Sequence, residues 1–306
     1  MSTNSDNRVV SVVVCTFNRS LLLRKCLESL ANQDISVEWY EVIVVDNGST
    51  DDTEEVINEF LTGHKNFRSV NEDRLGLSFS RNRGWNEAIG YYVAFIDDDA
   101  IAYPDWVSGI ANFIARQPDA GIFGGPYDAF YLVPRPAWFP PEYGKLDLGE
   151  HERCVKLGCE WIVGLNMVIN KELFNKYGGF DVRLGMTGSK TAYGEEVKFF
   201  LSMRDKGIKI FYVPSIRVKH LVAEYKMNLK WLLLSNYSVG RQYELIFIVN
   251  RTLFSHLSSF MFAVVAGAFQ LFRPISIPIK RRLFYSFNRL FYEMGAVVEH
   301  CSSIFK

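Results

Sequence analysis

Three apolar runs, at residues 9–14, 40–45 and 91–96, each stop at a cluster of polar residues. The runs are rich in β-branched side chains and, Ser11 and Glu41 aside, apolar almost throughout. Strands buried on both faces of a parallel sheet have this composition. Between the first two, Ser20 is placed to cap a helix whose apolar stripe of Leu21, Leu22, Leu23, Cys26, Leu27 and Leu30 runs to about Gln33. Strand, helix, strand in that order implies a right-handed crossover in a parallel sheet. The alternation continues with a helix at 53–61, a short strand near 68–71 and a helix over 78–89.

In open α/β sheets, ligands sit beyond the carboxyl ends of the strands. The polar clusters fall there: Thr16-Phe17-Asn18-Arg19, the stretch from Asp46 to Asp52, and Asp97-Asp98-Asp99. Asp and Asn after a strand are also ordinary turn and cap residues, but three such clusters at successive strand ends point to a site. Residues 8–99 therefore read as a nucleotide-binding half. Three adjacent carboxylates repel one another unless a cation or strong donors offset their charge. A divalent metal is the simplest candidate, and Mg²⁺ or Mn²⁺ typically uses one or two carboxylates together with substrate phosphates. The alternative is a solvated acidic turn.

Further on, the spacing predicts a helix over 104–117, strands at 121–126 and from Trp161 to Ile169, helices at 171–177 and 195–206, and a strand at 208–213, with the α/β domain ending near Leu221. A loop over 127–142 holds Pro134, Pro136, Pro140 and Pro141. Long loops in compact domains are often functional. With 48% hydrophobic and 22% charged residues, disorder is excluded as the main state. Lys plus Arg and Asp plus Glu both total 34, so no chain-wide nucleic-acid-binding surface is expected. The five cysteines show no paired C-x-x-C spacing and read as reduced thiols of a cytoplasmic protein; the polar start and short first apolar run do not resemble an export signal.

The chain resembles a family 2 glycosyltransferase of the GT-A fold. The resemblance rests on residues 12–19, 44–51, 76–84, 95–99, 178–181, 194–196 and 213–220, in the family's order and spacing. It implies a Rossmann-like, mostly parallel catalytic domain over 8–221, with an acceptor half at 100–221, and inverting transfer of a sugar from a nucleoside diphosphate sugar, UDP-linked first, to a saccharide or lipid-linked acceptor. Carried over by position, Thr16, Asn18, Arg19, Asp46, Asp97 and Asp98 bind the nucleotide sugar, Arg81 approaches the diphosphate, and Asp99 ligates the metal. His220 matches a late histidine that approaches the metal. Glu195 and Glu196 match an acidic pair whose second member is usually Asp; Glu196 is taken as general base and Glu195 as a positioning group. Trp161, Gly164 and Asn166 match the strand that lines the acceptor pocket.

Plainer roles stand beside these. Arg81 as a surface charge, the glutamates as first-turn residues favoured by the helix dipole, and His220 as a structural residue all fit the pattern. Trp138, Phe139 and Tyr143 suit sugar stacking or packing equally. Residues 185–189 look mobile enough to close over an acceptor. A nucleotidyltransferase would be expected to carry a Gly-rich loop with a basic residue directly after strand one, where this chain has Thr16-Phe17-Asn18-Arg19. A non-catalytic nucleotide-binding scaffold subunit is the other alternative, its foothold the Glu195-Glu196 pair.

Residues 222–306 are expected to form a helical appendage. Residues 224–306 carry 10 basic and 4 acidic side chains, against 24 and 30 in residues 1–223. The stretch from Thr252 to Phe272 has no formal charge and is flanked by Arg251, Arg273 and Lys280-Arg281-Arg282. It is long enough to span a bilayer; a cationic, aromatic-rich helix lying peripherally on an anionic surface at the cytoplasmic face fits at least as well, and a packed helix of a soluble bundle or oligomer interface is the plainer alternative.

Overall fold

The computed structural model describes residues 9–157, 160–188, 194–247, 252–272 and 276–304. Cys159, Ser189, Arg251 and Arg273 lie outside the described residues. The chain divides into two compact units, Met1–Ala129 with Gly144–Lys190 and Glu195–His220, and Phe130–Tyr143 with Thr191–Gly194 and Leu221–Lys306.

The first unit opens with β1 (Val10–Thr16), α1 (Ser20–Ala31), β2 (Tyr40–Asp46), α2 (Thr53–Gly63), β3 (Phe67–Asn71), α3 (Leu77–Glu87) and β4 (Tyr92–Asp97). It continues with β5 (Ala100–Ala102), α4 (Trp106–Arg116), β6 (Ile122–Gly124), β7 (Tyr127–Phe130) and β8 (Arg153–Cys154). Next come β9 (Asn166–Asn170), α5 (Lys171–Tyr177), α6 (Glu195–Asp205), β10 (Ile210–Tyr212) and β11 (Val218–Leu221). The main sheet runs β3-β2-β1-β4-β9-β6-β10-β8, and a small one runs β5-β11-β7. β1 pairs in parallel with β2 and β4, and β2 with β3, as the crossovers require.

Beyond β4 the sheet is mixed, because β9 is antiparallel to both β4 and β6. The strand expected from Trp161 begins only at Asn166. The loop over 127–142 likewise contains a strand, β7, in the small sheet. Burial of β1, β2 and β4 on both faces explains their apolar composition: Val12, Val42 and Ala94 fall in one core cluster, Val13, Ile43 and Phe95 in another. Glu41 is fully buried within β2. Its carboxylate accepts from Ser11 Oγ at 2.5 Å, Arg68 Nε at 2.7 Å and Ile89 N at 2.9 Å, so the buried charge is paired and hydrogen-bonded.

The second unit carries α7 (Leu229–Phe247), α8 (Leu253–Leu271) and α9 (Ile279–Ile304), with α9 packed against both others. A side chain at Gly240 or Gly295 would meet backbone of the facing helix, at Tyr292 and Tyr237 respectively, so α7 and α9 cross in close contact. Residues 130–143 belong to this unit. There Phe139 is fully buried, edge-on to Trp138 and Tyr143 with ring centroids 5.7 and 5.1 Å away. Phe139 is thus a packing anchor, and burial of a side chain this size contributes about 1.5–3 kcal/mol.

Candidate active site

Parallel strands in register deliver their ends to one edge. Thr16 lies opposite Asp46, and Cys15 opposite Asp97, so the first residues past β1, β2 and β4 collect together. Asn18 adopts the left-handed conformation (φ 53°), which Asn tolerates better than most residues. Its Oδ1 accepts from Thr50 N at 2.7 Å, and its own N–H donates to Ser49 Oγ at 2.9 Å. Asp46 Oδ1 accepts from Ser49 N at 3.0 Å, so the turns after β1 and β2 hold each other in place.

The three aspartates have separate environments. Asp98 is buried; it accepts from Thr16 Oγ1 and Arg19 Nη1, both at 2.9 Å. Asp99 Oδ2 takes a second contact from Arg19 Nη1 at 3.1 Å, and its Oδ1 lies 3.2 Å from His220 Nε2. Antiparallel pairing of β11 with β5 sets His220 opposite Ala100, directly after the aspartates. Tyr127 meets the imidazole edge-on at 5.8 Å. Donor atoms of Asp97, Asp99 and His220 lie within 4.8 Å of one another. Two carboxylates and an imidazole this close together are a donor set that would hold a small divalent ion. The mixed oxygen and nitrogen set also suits Mn²⁺.

Burial pushes the Asp98 carboxyl up to about 7, against the pull of Arg19 and helped by the charge of Asp99.

Arg81 projects from α3 and is 3% exposed. Its Nη1 donates to Glu195 Oε1 at 2.5 Å and its Nη2 to Asp97 Oδ1 at 3.2 Å. Gly164 makes room for it: a Cβ there would stand 2.8 Å from Arg81 Nη2. Glu195 and Glu196 open α6. Glu195 is 3% exposed; burial, then the charge of Glu196, raise its carboxyl to about 8 while Arg81 pulls the other way. Glu196 is half-buried, and its Oε2 has no hydrogen-bond partner. The pair is unequal in that Glu195 Oε1 is clamped by a guanidinium, while Oε2 of both glutamates is left without a hydrogen-bond partner.

Among the expected acceptor residues, Trp161 is half-buried and Gly164 shapes the Arg81 seat. Asn166 has no exposed surface; it accepts from Trp106 Nε1 at 2.9 Å and donates to the carbonyls of Pro126 (3.0 Å) and Ile216 (2.8 Å). Its side chain is committed to the fold. The segment expected to move is tied at its start, where Leu184 O accepts from Ser78 Oγ and Met186 O from Leu77 N, at 2.7 and 2.8 Å. Two contributors were not singled out from sequence. Asn47 donates to the carbonyls of Glu72 and Arg74 (2.7 and 2.9 Å) and accepts from Gly76 N (2.7 Å), fixing the approach to α3. Cys15 is half-buried near Arg81 and Asp97, and desolvation raises its thiol far above the usual range. An Asn after a strand signals a turn, and no local pattern names partners 25 residues away.

Residues 11–178 match the sequence profile described as "Glycosyl transferase family 2". Over 240 residues, 76% of this chain and 75% of the relative, the sequence is 29% identical to the glucosyl-dolichyl phosphate glucuronosyltransferase of Haloferax volcanii. The mannosyltransferase PcManGT from Pyrobaculum calidifontis, solved with GDP-Man and Mn²⁺, superposes with a TM-score of 0.58 at 18% identity, over 92% of this chain and 86% of that one. S. aureus TarS 1–349 with UDP gives a TM-score of 0.54 at 18% identity, over 97% and 92%. These two likenesses establish the GT-A fold.

Proposed function

The chain belongs to glycosyl transferase family 2, and from that premise we propose that it moves a sugar, with inversion, from a nucleoside diphosphate sugar to a lipid-linked saccharide. The observation that carries this reading is the convergence at one sheet edge of the Asp97, Asp99 and His220 donors with the unequal Glu195 and Glu196 pair. Mn²⁺ or Mg²⁺ held by the first set would offset charge on the departing diphosphate. Glu196 accepts the proton of the attacking hydroxyl, and Glu195 with Arg81 holds the base-bearing helix against the nucleotide side. Thr16, Asn18, Arg19, Asp46 and Asp98 shape the nucleotide cradle; Trp161 and Gly164 border the acceptor side.

A lipid-linked acceptor is favoured by the Haloferax relative, named for action on a glucosyl-dolichyl phosphate. We place the reaction in the cytoplasm, at the membrane face that holds such an acceptor. For the donor, UDP-sugars come first, with GDP-sugars beside them because structures of similar fold were solved with either nucleotide.

The test incubates full-length protein with Mn²⁺ or Mg²⁺, a panel of UDP- and GDP-sugars, and polyprenyl-phosphate-linked monosaccharides. Mass spectrometry should find the extended lipid in step with released nucleoside diphosphate. Asp99→Ala should lose nearly all turnover, and full activity in that variant would sink the metal role. Calorimetry showing nucleotide binding with no turnover on any acceptor would favour a scaffold subunit instead.

A further inference from the structure

The second unit reverses the usual distribution of polar and apolar residues in water. His256 of α8 is fully buried, its ring 4.7 Å from that of His300 on α9. Ser286, Glu293 and Glu299 of α9 are 3%, 1% and 4% exposed. Glu299 is held across the helix crossing by Arg241 of α7, at 2.6 Å. Large apolar side chains of α8 point the other way: Phe254 is 81% exposed, Phe262 64%, Phe269 72% and Phe272, just past the helix, 85%. Scattered apolar residues on a surface are ordinary, but a continuous helical face of this kind on a soluble protein is not. Burying Glu and His while exposing Phe suits a bundle whose outer solvent is hydrocarbon.

Packing of the same helices agrees independently. α8 meets α9 through small residues, Ala263 and Gly267, and a side chain at Gly267 would meet the Ser286 backbone. Contacts through small residues, with polar groups turned inward, are the packing mode of helices that gain nothing from hiding Leu and Phe from lipid. Among the described residues, α8 is the one helix long and apolar enough to cross a bilayer, and only 17% of that stretch is buried. Its 19 residues extend roughly 28 Å, close to the hydrocarbon thickness.

Charge marks one border of this surface. α9 begins just after α8 with Lys280, Arg281 and Arg282, and Arg282 Nη1 donates back to Leu271 O at 3.2 Å. Arg281 donates to the Trp138 and Phe139 carbonyls, at 3.0 and 3.3 Å, and to that of Ala137; these acceptors are neutral, so its charge persists. Lys280 lies 5.8 Å from the Trp138 ring. Cations and aromatic rings at the end of an apolar helix form the belt found at the headgroup layer.

We propose that the outward face of α8 is seated in the hydrocarbon layer of an anionic lipid membrane, with Lys280, Arg281 and Trp138 at the headgroups. This goes beyond the transferase reading and stands or falls separately from it. Full-length protein is mixed with vesicles of phosphatidylcholine alone or with phosphatidylglycerol and floated on a density gradient. Native protein should float with the anionic vesicles and less with neutral ones. Phe254→Gln, Phe262→Gln and Phe269→Gln together should cut flotation at least about tenfold while circular dichroism and the melting temperature hold, since these side chains are solvent-exposed. Lys280→Ala with Arg281→Ala should weaken binding to anionic vesicles alone. In a Phe262→Trp variant, lipids brominated on the acyl chain should quench the added fluorescence. Native protein that never floats, or a triple Gln variant that floats like native, would overturn the proposal. A soluble dimer that the triple variant converts to monomer, with no lipid binding, would assign the face to a second copy and equally overturn it.

Discussion

A Glu196→Gln variant is expected to turn over about 10²–10⁴-fold more slowly than native protein while binding nucleotide sugar as tightly and unfolding at the same temperature. The amide keeps the size of the carboxylate and removes its capacity to take a proton. Glu196 is half-buried and its Oε2 has no partner, so the exchange breaks no contact at that atom. Glu195→Gln should behave differently above about pH 8, because there it discharges one side of the 2.5 Å pair with Arg81. Stability should fall in that variant, and any loss of turnover should come with it. Steady-state kinetics with thermal unfolding of both variants separates the roles. If Glu195→Gln loses turnover at unchanged stability while Glu196→Gln stays active, the two glutamates exchange roles.

The sequence exposes this site because several of its parts are local consequences of strand ends. Val12–Cys15, Val42–Val45 and Val93–Ile96 announce parallel central strands through composition alone, and parallel register then brings Thr16, Asp46 and Asp97 to one edge. Antiparallel β9 was not legible in this way. Its core, Met167-Val168-Ile169, is as apolar as its neighbours, and composition does not encode the direction in which a buried strand is threaded.

Roles that depend on distant partners were less visible still. Asn166 sits in a motif that suggested the acceptor pocket, yet its amide is used by Trp106, Pro126 and Ile216, 40 to 60 positions away. His220 approaches Asp99 only through the pairing of two short strands, three and four residues long, whose register leaves no periodic trace. In the second unit, the charge-free stretch from 252 to 272 was visible, but not which of its faces turns outward. That depends on Ala263 and Gly267, small residues whose meaning appears only when a second helix lies against them.

Arg81→Met is expected to cost about 3–5 kcal/mol of stability, the range for removing one partner of a buried ion pair. Arg81 and Glu195 side chains are each 4% exposed, so water cannot replace the lost guanidinium. Methionine fills much of the same volume, which confines the deficit chiefly to charge. Glu195 has its carboxyl raised to about 8 by burial and by Glu196 even with Arg81 pulling it down. Without Arg81 it rises further and the folded chain holds the proton. A carboxyl whose folded value exceeds its unfolded one imposes no penalty below the unfolded value, about 4.5, and one that grows from there up to the folded value. Native protein carries the same penalty up to its own folded value of about 8, so the Arg81→Met deficit should be nearly constant from pH 5 to 7 and larger at pH 9. Urea unfolding at pH 5, 7 and 9 measures it. Adding Glu195→Gln to Arg81→Met removes the stranded charge, so the double variant should be more stable than Arg81→Met at pH 9 and nearly equal to it at pH 5. A double variant no more stable at pH 9 would show that Arg81 is held in α3 for its packing under Gly164 and not for the carboxylate it faces.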